Sequence, residues 1–355
     1  MISWVPTKPI NDLIVSNLLK TSLKTNQFTN YGPNVQLLEN TIRDKFCVNK
    51  NKAVIVVNNG SIAIHILAVA IQFVNDKTKL LQWATQSFTF PPSAQANLQN
   101  VFIVDSDLDG GIDLSKVDIT TTNGIIVTNI FGNVVDIEKY EHWANTYDKF
   151  LIFDNAATCF TFYKGQNCIN YGVGCGISFH HTKPFGFGEG GAIIVDTKYE
   201  STVRSLINFG INLTDDYYVK EGTNGKMSDI SATYILQYWN LQFDKIVQQH
   251  SALYNYFKQQ SKSMSQRFTL FSSFHDSDKI VPACINILFN NSNDSENINK
   301  LMNETNIHTR KYYHPIKATP NSQYIYDHIL CIPCTIDMTK TDVDYILCLI
   351  SNYFV

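Results

Sequence analysis

The sequence predicts an α/β fold with two parts. A large domain has a mostly parallel central sheet covered by helices, and a smaller α+β domain follows it. Short β-branched apolar runs alternate with helical stretches in the first half of the chain, a pattern typical of parallel βαβ units. After about Gly222 a long helical region replaces this alternation. Because 355 residues suffice for two domains, we assign residues 1–235 to the large domain and 236–355 to the small one.

The strands of the large domain are predicted from short apolar runs that end in polar residues. They cover 53–57, 101–105, 124–129 and 150–154. A buried helix over 62–70 follows the first strand, and another helix is predicted over 137–147. Ligands of parallel sheets bind beyond the carboxyl ends of the strands. The residues that follow each strand are therefore the first candidates for a functional site.

The small domain is predicted from a different pattern. Residues 228–258 read as a long helix, and a polar stretch rich in serine and asparagine includes 290–295. Short strands are predicted over 280–288 and 329–333, and a last helix over 342–354. Strands and helices in this order predict a small α+β unit packed on the large domain.

Composition and charge exclude several classes of protein. A hydrophobic fraction of 44% and a charged fraction of 17% are those of a globular chain. The net charge of −3 gives no reason to expect nucleic acid as a partner. No apolar stretch is long enough to span a bilayer, and the first residues do not resemble a secretory signal. We therefore expect a cytoplasmic protein with no membrane partner.

The eight cysteines do not predict a metal site. Only Cys331 and Cys334 form a close pair, and neither a second pair nor clustered histidines would complete a zinc site. We expect reduced cysteines, as in cytosolic proteins.

A candidate nucleophile stands at Lys183. It ends the run Ser178-Phe179-His180-His181-Thr182-Lys183 and precedes a glycine-rich turn over 187–191 and an apolar strand over 192–195. Partial desolvation at such a bend lowers the pKa of a lysine and frees its amine for imine chemistry with an aldehyde cofactor. The same pattern also fits a surface lysine in a glycine-rich hairpin.

A candidate phosphate site lies at Asn59-Gly60-Ser61, where the first strand meets a helix. The N–H groups at a helix N-terminus bind phosphate, Gly60 lets the backbone approach closely, and the Ser61 hydroxyl adds a donor. The hydroxyl of Ser178 could reach the same phosphate. Ordinary capping and turn formation explain these serines as well.

Two further residues fit the ring of a pyridoxal cofactor. Asp154 ends an apolar strand, where a carboxylate can pair with a protonated ring nitrogen. Phe88 follows another strand and could stack on a planar ring. Asp154 also fits a turn cap, and Phe88 also fits a core aromatic residue. The Asn-Gly pair within 221–228 marks a sharp turn before a helix.

The order of these motifs resembles that of the DegT/StrS family of sugar aminotransferases. These are pyridoxal phosphate enzymes of fold type I, the aspartate aminotransferase fold. The resemblance covers nearly the whole chain, and its most specific part is 178–191. The other similar segments are 30–39, 59–61, 87–90, 130–136, 208–210 and 222–228.

The resemblance implies a role for each candidate. Lys183 would form the Schiff base with pyridoxal phosphate, Asp154 would keep the pyridine nitrogen protonated, and Phe88 would stack on the ring. Asn224 would reach the phosphate of the neighbouring subunit, which implies a homodimer with shared active sites. The phosphate would be held by Gly60, Ser61 and Ser178.

Two positions depart from the family pattern. Ala157 stands where the family has a glutamine beside the phenolic oxygen of the cofactor, and we expect Asn155 or a water molecule to take its place. Lys226 replaces an arginine, which conserves charge but loses bidentate geometry. The missing glutamine leaves open a catalytically silent regulator or scaffold that binds pyridoxal phosphate.

The segment 309–315 resembles one in perosamine- and viosamine-type 4-aminotransferases. This implies amino transfer from L-glutamate to a nucleotide-linked 4-keto-6-deoxyhexose, giving a 4-amino-4,6-dideoxy sugar nucleotide for glycan biosynthesis. Amination of a 3-keto sugar is the alternative. Arg310 and His314 are the candidate substrate-binding residues, and Arg310 could bind a carboxylate or a diphosphate or be a surface arginine. Lys317 stands where those enzymes have a histidine, so the sequence does not identify the exact sugar.

Overall fold

The structure is a computed structural model that describes residues 1–75, 80–271 and 279–355. The helices of these ranges are α1 (Asp12–Thr25), α2 (Pro33–Lys45), α3 (Gly60–Asn75), α4 (Ile137–Thr146), α5 (Glu200–Leu206), α6 (Asp229–Gln260), α7 (Ser292–Glu304), α8 (Pro320–His328) and α9 (Lys340–Tyr353). The strands are β1 (Lys52–Val57), β2 (Trp83–Gln86), β3 (Phe102–Val104), β4 (Gly124–Thr128), β5 (Phe150–Asp154), β6 (Phe162–Tyr163), β7 (Gln166–Asn167), β8 (Gly174–Ser178), β9 (Gly191–Asp196), β10 (Phe268–Phe271), β11 (Cys284–Phe289) and β12 (Ile329–Pro333).

The large domain is built on a seven-stranded sheet in the order β1-β9-β8-β5-β4-β2-β3. The strands β3, β2, β4, β5 and β8 pair in parallel, whereas β9 runs antiparallel to both β8 and β1. Since two antiparallel pairings restore the direction, β1 points the same way as β8. The predicted α/β class with a mostly parallel central sheet is confirmed.

Both faces of this sheet are buried. In β1, Val54 and Val56 face one apolar cluster, which includes side chains of α2, α4 and α6. Ile55 and Val57 face the other cluster, which is formed mainly with α3 and α5. Strands buried on both faces read as continuous apolar runs, which is why β1, β4 and β5 were recognisable in the sequence.

The small domain is a three-stranded antiparallel sheet in the order β10-β11-β12. Its apolar face packs with α7, α9 and the C-terminal half of α6 around a cluster that includes Ile287, Phe257 and Ile346. The predicted boundary at 235/236 lies within α6, which continues unbroken from Asp229 to Gln260. The division of the chain at that point stays a prediction.

The carboxyl ends of β1, β4, β5 and β8 meet at one edge of the large sheet. Thr128 pairs with Asp154, and Asp154 pairs in turn with Gly176 two residues before the end of β8. Gly191, the first residue of β9, lies between Ser178 and Val57 in the register. This edge therefore collects the residues that follow the predicted strands. Among the described residues, no helix is long and apolar enough to cross a membrane.

Candidate active site

A cavity of about 790 Å³ opens at this edge of the sheet. Volumes of this size are typical of ligand sites. Five of the predicted cofactor-binding residues line it: Gly60, Ser61, Asp154, Ser178 and Lys183. The fold thus brings together residues that lie up to 123 positions apart in the chain, because each stands at or just beyond an end of a neighbouring strand.

One corner of the cavity is the start of α3. The side chain of Asn59 accepts a hydrogen bond from the Ile62 N–H at 2.9 Å and so caps the helix. Gly60 has no room for a side chain, because a Cβ there would stand 2.8 Å from the Cβ of Ser178. The first N–H groups of the helix, which have no intrahelical partners, therefore lie directly beside the Ser178 side chain. This corner fits a phosphate group.

Asp154 lies deeper in the same cavity and is only 4% exposed. Its Oδ1 accepts a hydrogen bond from the Ala156 N–H at 3.0 Å, and its Oδ2 accepts one from the Ser93 hydroxyl at 3.3 Å. Burial raises the pKa of the Asp154 carboxyl, although these bonds and the charge of Lys183 oppose the shift. A cationic ring nitrogen placed against Asp154 would supply the counter-charge that favours its ionised form.

Lys183 also lines the cavity and lies in the bend between β8 and β9. Burial lowers the pKa of its amine, and the nearby Asp154 carboxyl acts in the opposite direction. A lowered pKa increases the share of neutral amine, which is the nucleophilic form. The cavity thus offers an amine, an acid and a phosphate corner, which are the three groups that pyridoxal phosphate requires.

The aromatic residue predicted to stack on the ring, Phe88, does not line the cavity. Phe88 is fully buried and is not among the residues that line the cavity. Its ring contacts Phe131 and Tyr313, each at 6.3 Å between ring centroids, and both of those residues line the cavity themselves. Phe90 lines the cavity and is 53% exposed. Phe90, two residues further along the same motif, therefore presents the accessible ring.

Asn155, which we expect to take the place of the missing glutamine, does not line the cavity either. Ala157 lines the cavity, as the resemblance implies. Asn155, however, is fully buried and is not one of the lining residues. Its side-chain oxygen accepts a hydrogen bond at 2.7 Å from the amide of Asn129, a cavity residue. Asn155 therefore supports the wall of the cavity from behind.

Only one of the two candidate substrate-binding residues lines the cavity. Arg310 lines the cavity, and its guanidinium lies 4.8 Å from the ring centroid of Trp4 and donates a hydrogen bond to the Tyr312 hydroxyl. His314 is exposed, does not line the cavity, and packs its ring edge-on against Tyr326. Only Arg310 is in a position to meet a ligand in this cavity.

Sequence reasoning missed several cavity residues. Tyr312 and Tyr313 belong to the segment 309–315, and its aromatic pair was the available signal. Trp4 reaches the cavity from the start of the chain, and no local pattern marks it as a site residue. Asn224 is exposed beside the end of β1, where its carbonyl accepts a hydrogen bond from the Asn58 amide at 3.1 Å. Its contact with a second subunit stays a prediction.

Relatives of known sequence and structure share this architecture. The chain is 26% identical over 356 residues to the dTDP-4-amino-4,6-dideoxy-D-glucose transaminase of Shigella dysenteriae, with 90% of each chain covered. PseC of Helicobacter pylori, an aminotransferase involved in pseudoaminic acid biosynthesis, superposes with a TM-score of 0.81 at 17% identity, covering 99% of this chain and 98% of that chain. NtdA of Bacillus subtilis, solved with bound cofactor PMP, gives 0.78 at 21% identity, covering 99% and 86%.

The family itself is established by a match that runs through almost the whole sequence. The family model of DegT/DnrJ/EryC1/StrS aminotransferases matches residues 12–351. The predicted family, fold type and pyridoxal phosphate dependence are thereby confirmed. The chain belongs to the DegT/DnrJ/EryC1/StrS aminotransferase family and is a pyridoxal-phosphate-dependent transaminase.

Proposed function

We propose that the enzyme transfers the amino group of L-glutamate to a nucleotide-linked 4-keto-6-deoxyhexose. The product is a 4-amino-4,6-dideoxy sugar nucleotide for glycan biosynthesis. The observation that carries this proposal is the cavity that joins Lys183 and Asp154 to Arg310 and a group of aromatic side chains. The Shigella dysenteriae relative, whose match covers 90% of this chain, is named as a transaminase of a 4-amino-4,6-dideoxy sugar nucleotide. This name supports amination at C4. We place this activity in the cytoplasm.

Five residues of the cavity have a defined task in the proposed reaction. When bound, pyridoxal phosphate supplies an electron sink for the negative charge that forms at the α-carbon of glutamate. Asp154 would hold a proton on the ring nitrogen and so keep the ring cationic. Lys183 would attach the cofactor, and its free amine would act as general base and acid, moving a proton from the α-carbon of glutamate to C4′. Gly60, Ser61 and Ser178 would hold the phosphate.

The overall exchange is balanced. Glutamate gives up its amino group and accepts the carbonyl oxygen in exchange, through water, so it leaves as 2-oxoglutarate. The keto sugar loses its carbonyl oxygen and gains the amine in the reverse sequence of proton transfers. Lys183 would serve both halves, because each half moves one proton between C4′ of the cofactor and the carbon that carries the amine. That carbon is the α-carbon of glutamate in the first half and C4 of the sugar in the second.

Arg310 is the proposed anion-binding residue for the substrates. Its fork of N–H donors can bind a carboxylate or a diphosphate in a bidentate manner. The Tyr312 hydroxyl and the Trp4 ring hold the guanidinium at the cavity wall. We further propose a homodimer in which Asn224 of one subunit reaches the phosphate in the other. Its exposure on the surface of the monomer is compatible with such a contact.

A screen of sugar nucleotides tests the substrate. Keto-6-deoxy sugars on UDP, dTDP and GDP are incubated with glutamate, enzyme and cofactor, and the products are identified by mass and by the position of the amine. We expect amination at C4 of at least one 4-keto sugar. Amination of 3-keto sugars alone would replace the proposal with the 3-amination alternative. Conversion of bound cofactor by glutamate without any sugar product would also contradict it.

The silent-regulator alternative rests on one observation, the alanine at position 157 where the family has glutamine. Glutamate distinguishes it from the enzyme in a single half-reaction. The proposed enzyme converts its bound cofactor to the pyridoxamine form and releases 2-oxoglutarate. A regulator binds the cofactor but leaves it unchanged after glutamate is added.

We propose that Phe90, not Phe88, contacts the cofactor ring. Phe90→Ala is expected to weaken pyridoxal phosphate binding about threefold to tenfold, because aromatic stacking contributes about 0.5–1.5 kcal/mol. Phe88→Ala, the matched control, is expected to lower the free energy of unfolding by about 3–5 kcal/mol, because it empties a buried site. Cofactor titration and thermal unfolding of both variants measure this. Weaker binding in Phe88→Ala with unchanged binding in Phe90→Ala would restore the original assignment.

A further inference from the structure

The turn that carries Lys183 is tightly closed by its own backbone. The Lys183 N–H donates to the His180 carbonyl at 2.8 Å, and the Gly186 N–H donates to the Lys183 carbonyl at 3.0 Å. Gly186 packs so closely that a Cβ there would stand 1.9 Å from the His180 oxygen. Any shift of this turn would move the base of the Lys183 side chain and hence its amine.

Four consecutive carbonyl groups of this turn accept side-chain hydrogen bonds from elsewhere in the chain. The Tyr238 hydroxyl donates to the Pro184 carbonyl at 3.4 Å, and Trp239 Nε1 donates to the Phe185 carbonyl at 2.8 Å. The two outer carbonyls, of Lys183 and Gly186, both accept from the amine of one residue, Lys8. The Lys8 Nζ lies 3.1 Å from the Lys183 oxygen. Lys8 thus joins the two ends of the turn.

The N-terminal segment that delivers Lys8 is itself anchored on both sides. Ile2 pairs with Ile307 of the small domain, and the Thr7 N–H donates to Asp337 Oδ2 at 2.7 Å. On the other side, Gln237 of α6 donates to the Pro9 carbonyl at 3.2 Å. These contacts hold the segment between the small domain and α6. The position of Lys8 is therefore fixed by contacts on both sides of the segment.

The amine of Lys8 is half-buried among aromatic and histidine side chains. Its Nζ lies 4.6 Å from the ring centroid of Tyr238. Burial lowers the pKa of Lys8 to about 7. Burial also lowers the pKa of His181 on the turn and of His250 on α6, and the charge of Lys8 adds to both shifts. Either protonation state of the amine has the two N–H donors that the two carbonyls need.

We propose that Lys8 is a positioning residue for Lys183. It holds the carbonyls of Lys183 and Gly186 and so fixes the point from which the Lys183 amine reaches the cofactor aldehyde. This inference rests on the proposed role of Lys183. Lys8 touches the backbone of the turn, so its effect must appear in the geometry of the covalent link and not in the binding of phosphate or ring.

Two ligands separate these effects. Pyridoxal phosphate can bond to Lys183, whereas 4-deoxypyridoxine phosphate carries a methyl group in place of the aldehyde and can only bind. In Lys8→Met we expect about tenfold weaker binding of pyridoxal phosphate, as for the loss of the two half-buried hydrogen bonds, and unchanged binding of the deoxy compound. Lys8→Arg, which keeps the donors, is expected to recover most of the loss. Lys20→Met, which changes an exposed lysine, is the control.

Binding of the two ligands is compared on the same preparation of each variant. A general loss of folded structure would weaken both ligands equally, and an equal loss, like no loss at all, would overturn the proposal. The role of Lys183 is judged separately from the unaltered protein. If that protein forms no covalent link with pyridoxal phosphate, the proposed function fails; if it does and Lys8→Met binds both ligands normally, only the role of Lys8 fails.

Discussion

Replacing Lys183 with alanine is expected to abolish amino transfer and to remove the visible absorbance of the covalently bound cofactor. The loss of turnover should be at least about 10⁴-fold, because one residue supplies both the covalent attachment and the proton transfer. Phosphate binding should persist, since the start of α3 and Ser178 do not depend on the lysine. Absorbance spectra and glutamate half-reactions of the reconstituted variant measure both effects.

The matched control for this variant is Lys220→Ala, because Lys220 is highly exposed and its side chain is not among the cavity residues. It should behave like the unaltered enzyme. Turnover that survives in Lys183→Ala, together with an unchanged absorbance band, would assign the covalent link to another amine and contradict the role of Lys183.

Replacing Asp154 with asparagine is expected to lower the rate of the glutamate half-reaction by about 10²–10⁴-fold. The ring nitrogen would lose the carboxylate that keeps it protonated, so the negative charge at the α-carbon would be less stabilised. The pKa of the Lys183 amine in the cofactor-free protein should also fall further, because the Asp154 carboxyl acts to raise it in the unaltered protein. Rapid-mixing measurements of the half-reaction test the first statement, and the pH dependence of the rate at which pyridoxal phosphate bonds to Lys183 tests the second.

Ser93→Ala is a milder change at the same carboxylate and serves as the comparison for Asp154→Asn. It removes a single hydrogen bond to Asp154 Oδ2 and leaves the carboxylate in place. We expect a loss of about tenfold or less, as for one hydrogen bond to a charged group. A half-reaction in Asp154→Asn as fast as in the unaltered enzyme would show that another group protonates the ring.

The cofactor-site residues that could be predicted from the sequence share one property: they lie at or just beyond strand ends. Asp154 and Ser178 end β5 and β8, and Gly60 begins the helix after β1. The carboxyl ends of parallel strands meet at one edge of a sheet, so local patterns are enough to bring such residues together. The direction of β9 was not accessible in this way, because a fully buried strand has the same apolar pattern in either direction.

The residues that were misplaced or missed depend on packing between distant segments. Phe88 and Phe90 stand two positions apart in one motif, and the side chain that reaches the cavity is decided by Phe131 and Tyr313, which occupy the space beside Phe88. The N-terminal segment reaches the turn of Lys183 across about 175 positions of sequence. No local periodicity encodes such a contact, so it becomes visible only in the folded chain.

Chemical trapping of the covalent link tests the role of Lys183 more directly than any other measurement. The protein is incubated with pyridoxal phosphate, reduced with borohydride, digested, and mapped by mass spectrometry. Reduction makes the bond between amine and cofactor permanent, so the labelled peptide identifies the attachment site. We predict one dominant phosphopyridoxyl group, on Lys183. A label mainly on Lys8 or another lysine, or no label above that of Lys183→Ala, would contradict the assignment of Lys183 as the residue that binds the cofactor.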